Sequence, residues 1–474
     1  MRFASTTFVA AAALLLTSPQ SARAQIDPAF KASTTTPQAA AEFNAGLRDY
    51  ENLSFDAAAS HFQAASNADP NFGLARVLFA GTSSALSPAQ QTAELNRGVS
   101  DAARANTNEL LLAAAYREGF LNHPKEAGAL FNAASQLMPS DKLLAFAAAG
   151  GVAATPLPGV REFVAKNPDY APAYNSLAYL LWANGDRAGA LAAAKRQVEL
   201  NPSAPNPHDT YAEILQWNGS FPEATAHYKK AASMSPRFPE AYAGLAEVEA
   251  LQGHYDQARS YLSQAISSAW TPQQKLQYMR QVAGTYALEG GPPAGLDRQL
   301  ESIAAEAKAQ NNARLVSIDY AQLAAAQAAA GNTAAAHQAL AMAKAASPEV
   351  PWPTRYYGAV AHGTLKHWAP ANEELNALKA MATSDPASRD YAAAAEGFLS
   401  TRQGRPADAL KTLMAADTTN LLVMSRIAEA HAALGHSAEA AAWYNRINAD
   451  RALSLADFPG VNSRRRARIA TAKK

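Results

Sequence analysis

A 34-residue period constrains this chain more than any other feature. Pro168, Pro202 and Pro236 are each 34 residues apart, and Gly185, Gly219 and Gly253 keep the same step, as do Ala190, Ala224 and Ala258, and Ala178, Ala212 and Ala246. Four positions in one register mark a supersecondary unit of two helices repeated along the chain. A single helix pair cannot bury its own apolar face, and stacking on the next pair does so.

Each position has a physical role. In 171–204, Tyr174, Leu177, Ala178 and Leu181 fall at helical spacing and form the inward stripe of a first helix. Ala178 is small enough for a partner helix to approach closely. Asn184-Gly185-Asp186 breaks the helix, because glycine accepts positive φ. Ala190 and Leu191 begin the inward face of a second helix, and Pro202 disfavours helix at Asn201. The unit 205–238 repeats the scheme with Tyr211, Ala212, Leu215, Gly219, Phe221, Ala224, Tyr228, Ala231 and Pro236, and 239–272 repeats it with Tyr242, Leu245, Ala246, Gly253, Tyr255, Ala258, Leu262 and Ala265.

These three units resemble the tetratricopeptide repeat family, with its order of aromatic, Leu, small, aromatic, Gly, Ala, aromatic, Ala and Pro. Looser copies flank them at Gly46/Tyr50/Phe55/Ala58/Phe62/Ala65/Pro70, Ala127/Phe131/Ala134/Pro139, Gly331/Ala336, Gly404/Ala409 and Gly435/Ala440. Segments 71–106, 141–168 and 273–312 read as helix pairs without the signature. The resemblance implies an all-α fold: a right-handed α-solenoid of about ten stacked antiparallel helix pairs from near 39 to near 450. Divergent repeats are expected over 39–170, well-matched ones over 171–272 and divergent ones over 273–455. Gly150-Gly151 and Gly290-Gly291-Pro292-Pro293 are candidate joints.

Both ends read differently. Arg2, the apolar run Phe8 to Leu16 and Ala22-Arg23-Ala24 form the pattern of a secretory signal peptide over 1–24, so export to the periplasm or beyond is expected, with Gln25 as the mature N-terminus. A linker follows over 25–38. No later stretch approaches the ~20 apolar residues a membrane span needs. The chain has no cysteine, which excludes disulfides and thiolate chemistry. Formal net charge is +1, which argues against a nucleic-acid partner. The basic tail over 456–474 carries Arg464, Arg465, Arg466, Arg468, Lys473 and Lys474. It reads as a solvated, disordered segment, with peripheral contact to an acidic envelope surface as the alternative.

No enzyme motif is present: no G-x-x-x-x-G-K-[ST], G-x-G-x-x-G, G-x-S-x-G or H-E-x-x-H. Among ten histidines, His362/His367 and His431/His436 are five apart. On a continuous helix that spacing turns about 140°, so no shared metal face is expected. No catalytic residue, metal or cofactor is expected.

In the family, certain offsets of the first helix face the concave groove. Carried over, they fall on Asn175, Tyr179, Trp182, Asp209, Glu213, Gln216, Trp217 and Glu247. Aromatic plates beside carboxylates suit a basic or apolar peptide, or a stacked sugar. The basic residues with which chaperone-binding members hold a C-terminal carboxylate are missing. The corresponding offsets further on are Ile318, Ala321, Ala325, Ala328 and Ala329, an unspecialised stretch or one covered by a neighbour. The function implied is an exported scaffold that binds a peptide segment or partner protein in its groove. The alternatives are a polysaccharide or cell-wall accessory protein and a self-associating structural protein.

Overall fold

The computed structural model describes residues 33–51, 55–83, 86–121, 123–138, 142–150, 156–290, 293–383, 385 and 388–472. The expected signal peptide and residues 25–32 of the linker lie outside them, and the last two linker positions already belong to the first helix. Among the described residues the regular structure is helical throughout. Twelve consecutive helix pairs are followed by one further helix. The first six are α1/α2 (Pro37–Glu51, Phe55–Ala68), α3/α4 (Gly73–Thr82, Pro88–Ala102), α5/α6 (Thr107–Phe120, Pro124–Leu137), α7/α8 (Lys142–Gly150, Pro156–Lys166), α9/α10 (Ala171–Ala183, Arg187–Leu200) and α11/α12 (Pro205–Trp217, Phe221–Met234). The next six are α13/α14 (Pro239–Gln252, Tyr255–Ser267), α15/α16 (Pro272–Glu289, Pro293–Ala309), α17/α18 (Ala313–Ala329, Thr333–Ala346), α19/α20 (Trp352–Thr364, Trp368–Met381), α21/α22 (Arg389–Arg402, Pro406–Met414) and α23/α24 (Leu421–Ala433, Ser437–Ala449). The last helix is α25 (Phe458–Ala472).

The register read from the sequence carries the packing. Ala178, Ala212 and Ala246 on first helices, and Ala190, Ala224 and Ala258 on second helices, are all fully buried. Closely approaching helices leave no room there for a larger side chain, and overpacking such a site costs roughly 1–3 kcal/mol.

The turn inside six of the pairs has one backbone design. Gly185, Gly219, Gly253, Gly331, Gly404 and Gly435 all have φ between 78° and 87°. At Gly185, its own N–H donates to Trp182 O at 3.0 Å and the next N–H, of Asp186, donates to Leu181 O at 2.9 Å. This is a Schellman ending, whose outer bond joins residues five apart. Asp186 then caps α10 by accepting from Gly189 N at 2.9 Å. The α19/α20 turn has the same pattern with Lys366 in the glycine position at φ 61°.

The chain forms two compact units, one made of residues up to Leu245 with Ser268–Thr271 and the other of Ala246–Ser267 with Pro272 onward. The division lies within α13, inside the best-matched repeats, and not at the glycine-rich stretches near 150 and 290. In the first unit Phe43, Tyr50, Phe62 and Phe72 build one end of the core, and Phe146, Phe163 and Tyr170 build a second ring cluster with centroids 5.2–5.6 Å apart. In the second unit a continuous core runs through α15 to α21 and takes in Leu453, Leu455, Phe458 and Val461 from the C-terminal segment.

Candidate functional site

In the first unit, α9 and α11 are the first helices of adjacent pairs, so side chains one repeat apart stand side by side. Asn175 Nδ2 donates to Thr210 Oγ1 at 2.7 Å, and Tyr179 OH donates to Glu213 Oε2 at 2.7 Å. The Trp182 and Trp217 rings are 5.2 Å apart at 45°, and Tyr179 meets the edge of Trp217 at 5.9 Å. The Arg187 guanidinium lies over Trp182 at 4.1 Å, where the ring's negative face attracts it. Asn175, Tyr179, Trp182, Asp209 and Trp217 keep part of their surface exposed. The other three residues read as groove-facing are buried: Glu213 at 6% exposure, Gln216 at 0% and Glu247 at 0%. Glu213 holds Tyr179, and Gln216 accepts from Tyr228 OH at 3.0 Å. Glu213 thus fixes the aromatic cluster, and Gln216 ties α11 to Tyr228 of α12. Glu247 lies in the second unit.

In the second unit the first-helix face is taken by the chain's own end. The sequence reading had a solvated, disordered tail over 456–474; residues 458–472 instead form α25, packed on α15, α23 and α24. Leu453, Leu455, Phe458, Val461 and Ala467 are buried, and their apolar burial stabilises the docked state. Arg464 and Arg466 are not free for an acidic surface. Arg464 is 5% exposed and donates to Asp450 Oδ1 at 3.1 Å and Ala452 O at 3.2 Å. Arg466 donates to Ser425 Oγ at 2.8 Å and pairs with Glu429 at 3.0 Å. Glu429 also pairs with Arg426 at 2.7 Å. Although burial opposes ionisation of Glu429, Arg426 and Arg466 hold its pKa below the ordinary carboxylate value. Arg468 reaches the hydroxyl of Tyr255. On α17, Ile318, Ala321 and Ala328 are buried, Ala325 is half-buried and Ala329 is exposed. Docking depends on the lack of a Cβ at Gly284, where a side chain would collide with the Leu455 backbone.

The histidine spacing needs correction. His362 and His367 do not lie on one helix, because α19 ends at Thr364. His367 N donates to His362 O at 2.8 Å, the outer bond of the Schellman turn. That bond sets the two side chains next to each other. The same geometry pairs Glu118 with His123 at 2.7 Å and Glu249 with His254 at 2.8 Å.

Comparison with family models agrees with the repeat register. Two family models described as tetratricopeptide repeat match the chain, over residues 171–203 and 218–273. No curated protein matches it. Among solved structures, the pilF protein of Pseudomonas aeruginosa aligns at 15% identity over 47% of this chain and 96% of its own, with a TM-score of 0.34. The APC/C Cut9-Hcn1 hetero-tetramer aligns at 16% identity over 85% and 75%, with a TM-score of 0.43. Human IFIT1 aligns at 14% identity over 85% and 89%, with a TM-score of 0.42. No described helix is long and apolar enough to cross a membrane. The repeat register, the glycine turns and the two matching family models together make this chain a tetratricopeptide repeat protein.

Proposed function

We propose that the chain is an exported scaffold for protein–protein interaction, and that it receives a segment of a partner on the aromatic face formed by α9 and α11. The observation that carries this reading is the half-exposed cluster of Tyr179, Trp182 and Trp217, locked from behind by Glu213. Rigid aromatic side chains lose little conformational freedom on binding and offer large contact areas. The partly exposed Asp209, two turns before Trp217 on α11, favours a segment carrying basic as well as apolar side chains. The first-helix face of the second unit already holds α25, which leaves the first unit as the site for a partner. Export rests on the N-terminal pattern, with cleavage after Ala24.

Cross-linking in the native envelope, followed by mass spectrometry, tests this reading. Cross-links from the α9 and α11 face to one protein are expected, and Trp182→Ala with Trp217→Ala should remove them while helicity is unchanged. Cross-links that survive the double substitution overturn the assignment. N-terminal sequencing of the exported chain should begin at Gln25.

A further inference from the structure

Three imidazoles converge in the second unit. His337 lies on α18, His362 in the last turn of α19, and His367 at the N-cap of α20. One ring nitrogen of each falls within 4.8 Å of the other two. His337 Nε2 and His367 Nδ1 are 3.2 Å apart. Four ligands placed tetrahedrally at about 2.05 Å from a zinc ion stand about 3.4 Å from one another, so one edge of such a site is already at length and rotation of the exposed rings closes the others.

The surroundings give these rings little else to bind. His362 is 8% exposed, and its Nδ1 is buried without a hydrogen-bond partner. The carboxylate nearby, Glu374, is taken by Lys344 at 2.7 Å and Arg355 at 2.8 Å. Corresponding turns place an acid opposite the histidine, as in Glu118/His123 and Glu249/His254. Here the acid is replaced by a second imidazole, and a third arrives from the preceding pair.

We propose that His337, His362 and His367 bind one divalent transition-metal ion of the zinc class, with the fourth coordination position left to water or to a donor from a partner. Three imidazoles without thiolate suit Zn²⁺, Co²⁺, Ni²⁺ or Cu²⁺ over Mg²⁺ or Ca²⁺. The ion ties α18 to the α19/α20 turn. The His431/His436 pair has the same turn geometry, with ring nitrogens 3.4 Å apart, and belongs to no three-ligand group among the described residues. It serves as an internal control.

The test uses the untagged full chain and Zn²⁺ or Co²⁺ alone. Chelator competition should give one Zn²⁺ per chain, and Co²⁺ should give the visible absorption of a four-coordinate nitrogen-rich site. His337→Gln and His367→Gln each remove a ligand from the exposed side and spare the buried ring. Each should weaken Zn²⁺ binding at least tenfold, since even outer-shell losses cost about 10–100-fold. His431→Gln with His436→Gln should bind like the parent. Absence of stoichiometric binding in the parent chain overturns the proposal. So does parent-like affinity in His337→Gln and His367→Gln.

Discussion

The backbone carbonyl of Leu455 occupies the space that a side chain on Gly284 would need. Gly284 is fully inside α15, where glycine costs up to about 1 kcal/mol relative to alanine. It makes room there for the C-terminal segment, which packs Leu455, and then Phe458 at the start of α25, into the core that α15 shares. A backbone oxygen cannot rotate out of the way as a side chain can.

Gly284→Val should therefore undock the C-terminal segment, not merely strain it. The expected cost is about 3 kcal/mol, near the upper end for overpacking, with part recovered by release of the segment. Hydrogen exchange over 453–472 measures this. Fast exchange confined to that segment, with α17 and α19 still protected, is the expected result. Unchanged protection of α25 would show that the contact does not control docking.

The repeat was legible because its determinants are local. Glycine at positive φ, alanine at helix crossings and proline after the second helix all act within one 34-residue unit. The aromatic cluster was partly legible, since Tyr179, Trp182 and Trp217 followed from repeat offsets. The burial of Glu213 and Gln216 did not, because it depends on Tyr179 and Tyr228 reaching them. The docking of α25 was not legible at all. Leu455 meets Gly284 across 171 residues, and no local pattern separates a docking arginine such as Arg466 from a solvated one. The histidine group was misread for a single physical reason: a five-residue spacing was placed on a continuous helix, while the turn at Lys366 folds it back.

Asp319 sets a pH dependence for the second unit. It is fully buried on α17, and Arg280 pairs with it. Burial raises its pKa to about 6, against the opposing charge of Arg280. The unfolded value is about 3.9. The native state thus holds a proton more tightly than the unfolded state. The stability this gives is fully present below about pH 4 and is lost as pH rises through 6, to a total of up to about 3 kcal/mol. Urea unfolding between pH 4 and 7 should show this decline in the parent chain and not in Asp319→Asn. The slope is the readout, because loss of the Arg280 pair shifts the variant at every pH. Equal slopes would remove Asp319 as the cause.

Lys366 takes the position that glycine holds in six other turns, with φ 61° and its N–H donating to Gly363 O at 3.2 Å. A lysine in the left-handed region costs roughly 1–2 kcal/mol. Glycine there gives back a few tenths through the greater entropy of its unfolded chain. The balance favours Lys366→Gly by about 0.5–1 kcal/mol, a rise in melting temperature of about 1–4 °C for a unit of this size. Lys366→Ala keeps the Cβ and should give no rise, which separates backbone strain from loss of the lysine charge. Calorimetry of the three chains decides it: a gain in both variants would trace the effect to charge, and a loss in Lys366→Gly would mean that the turn is not strained.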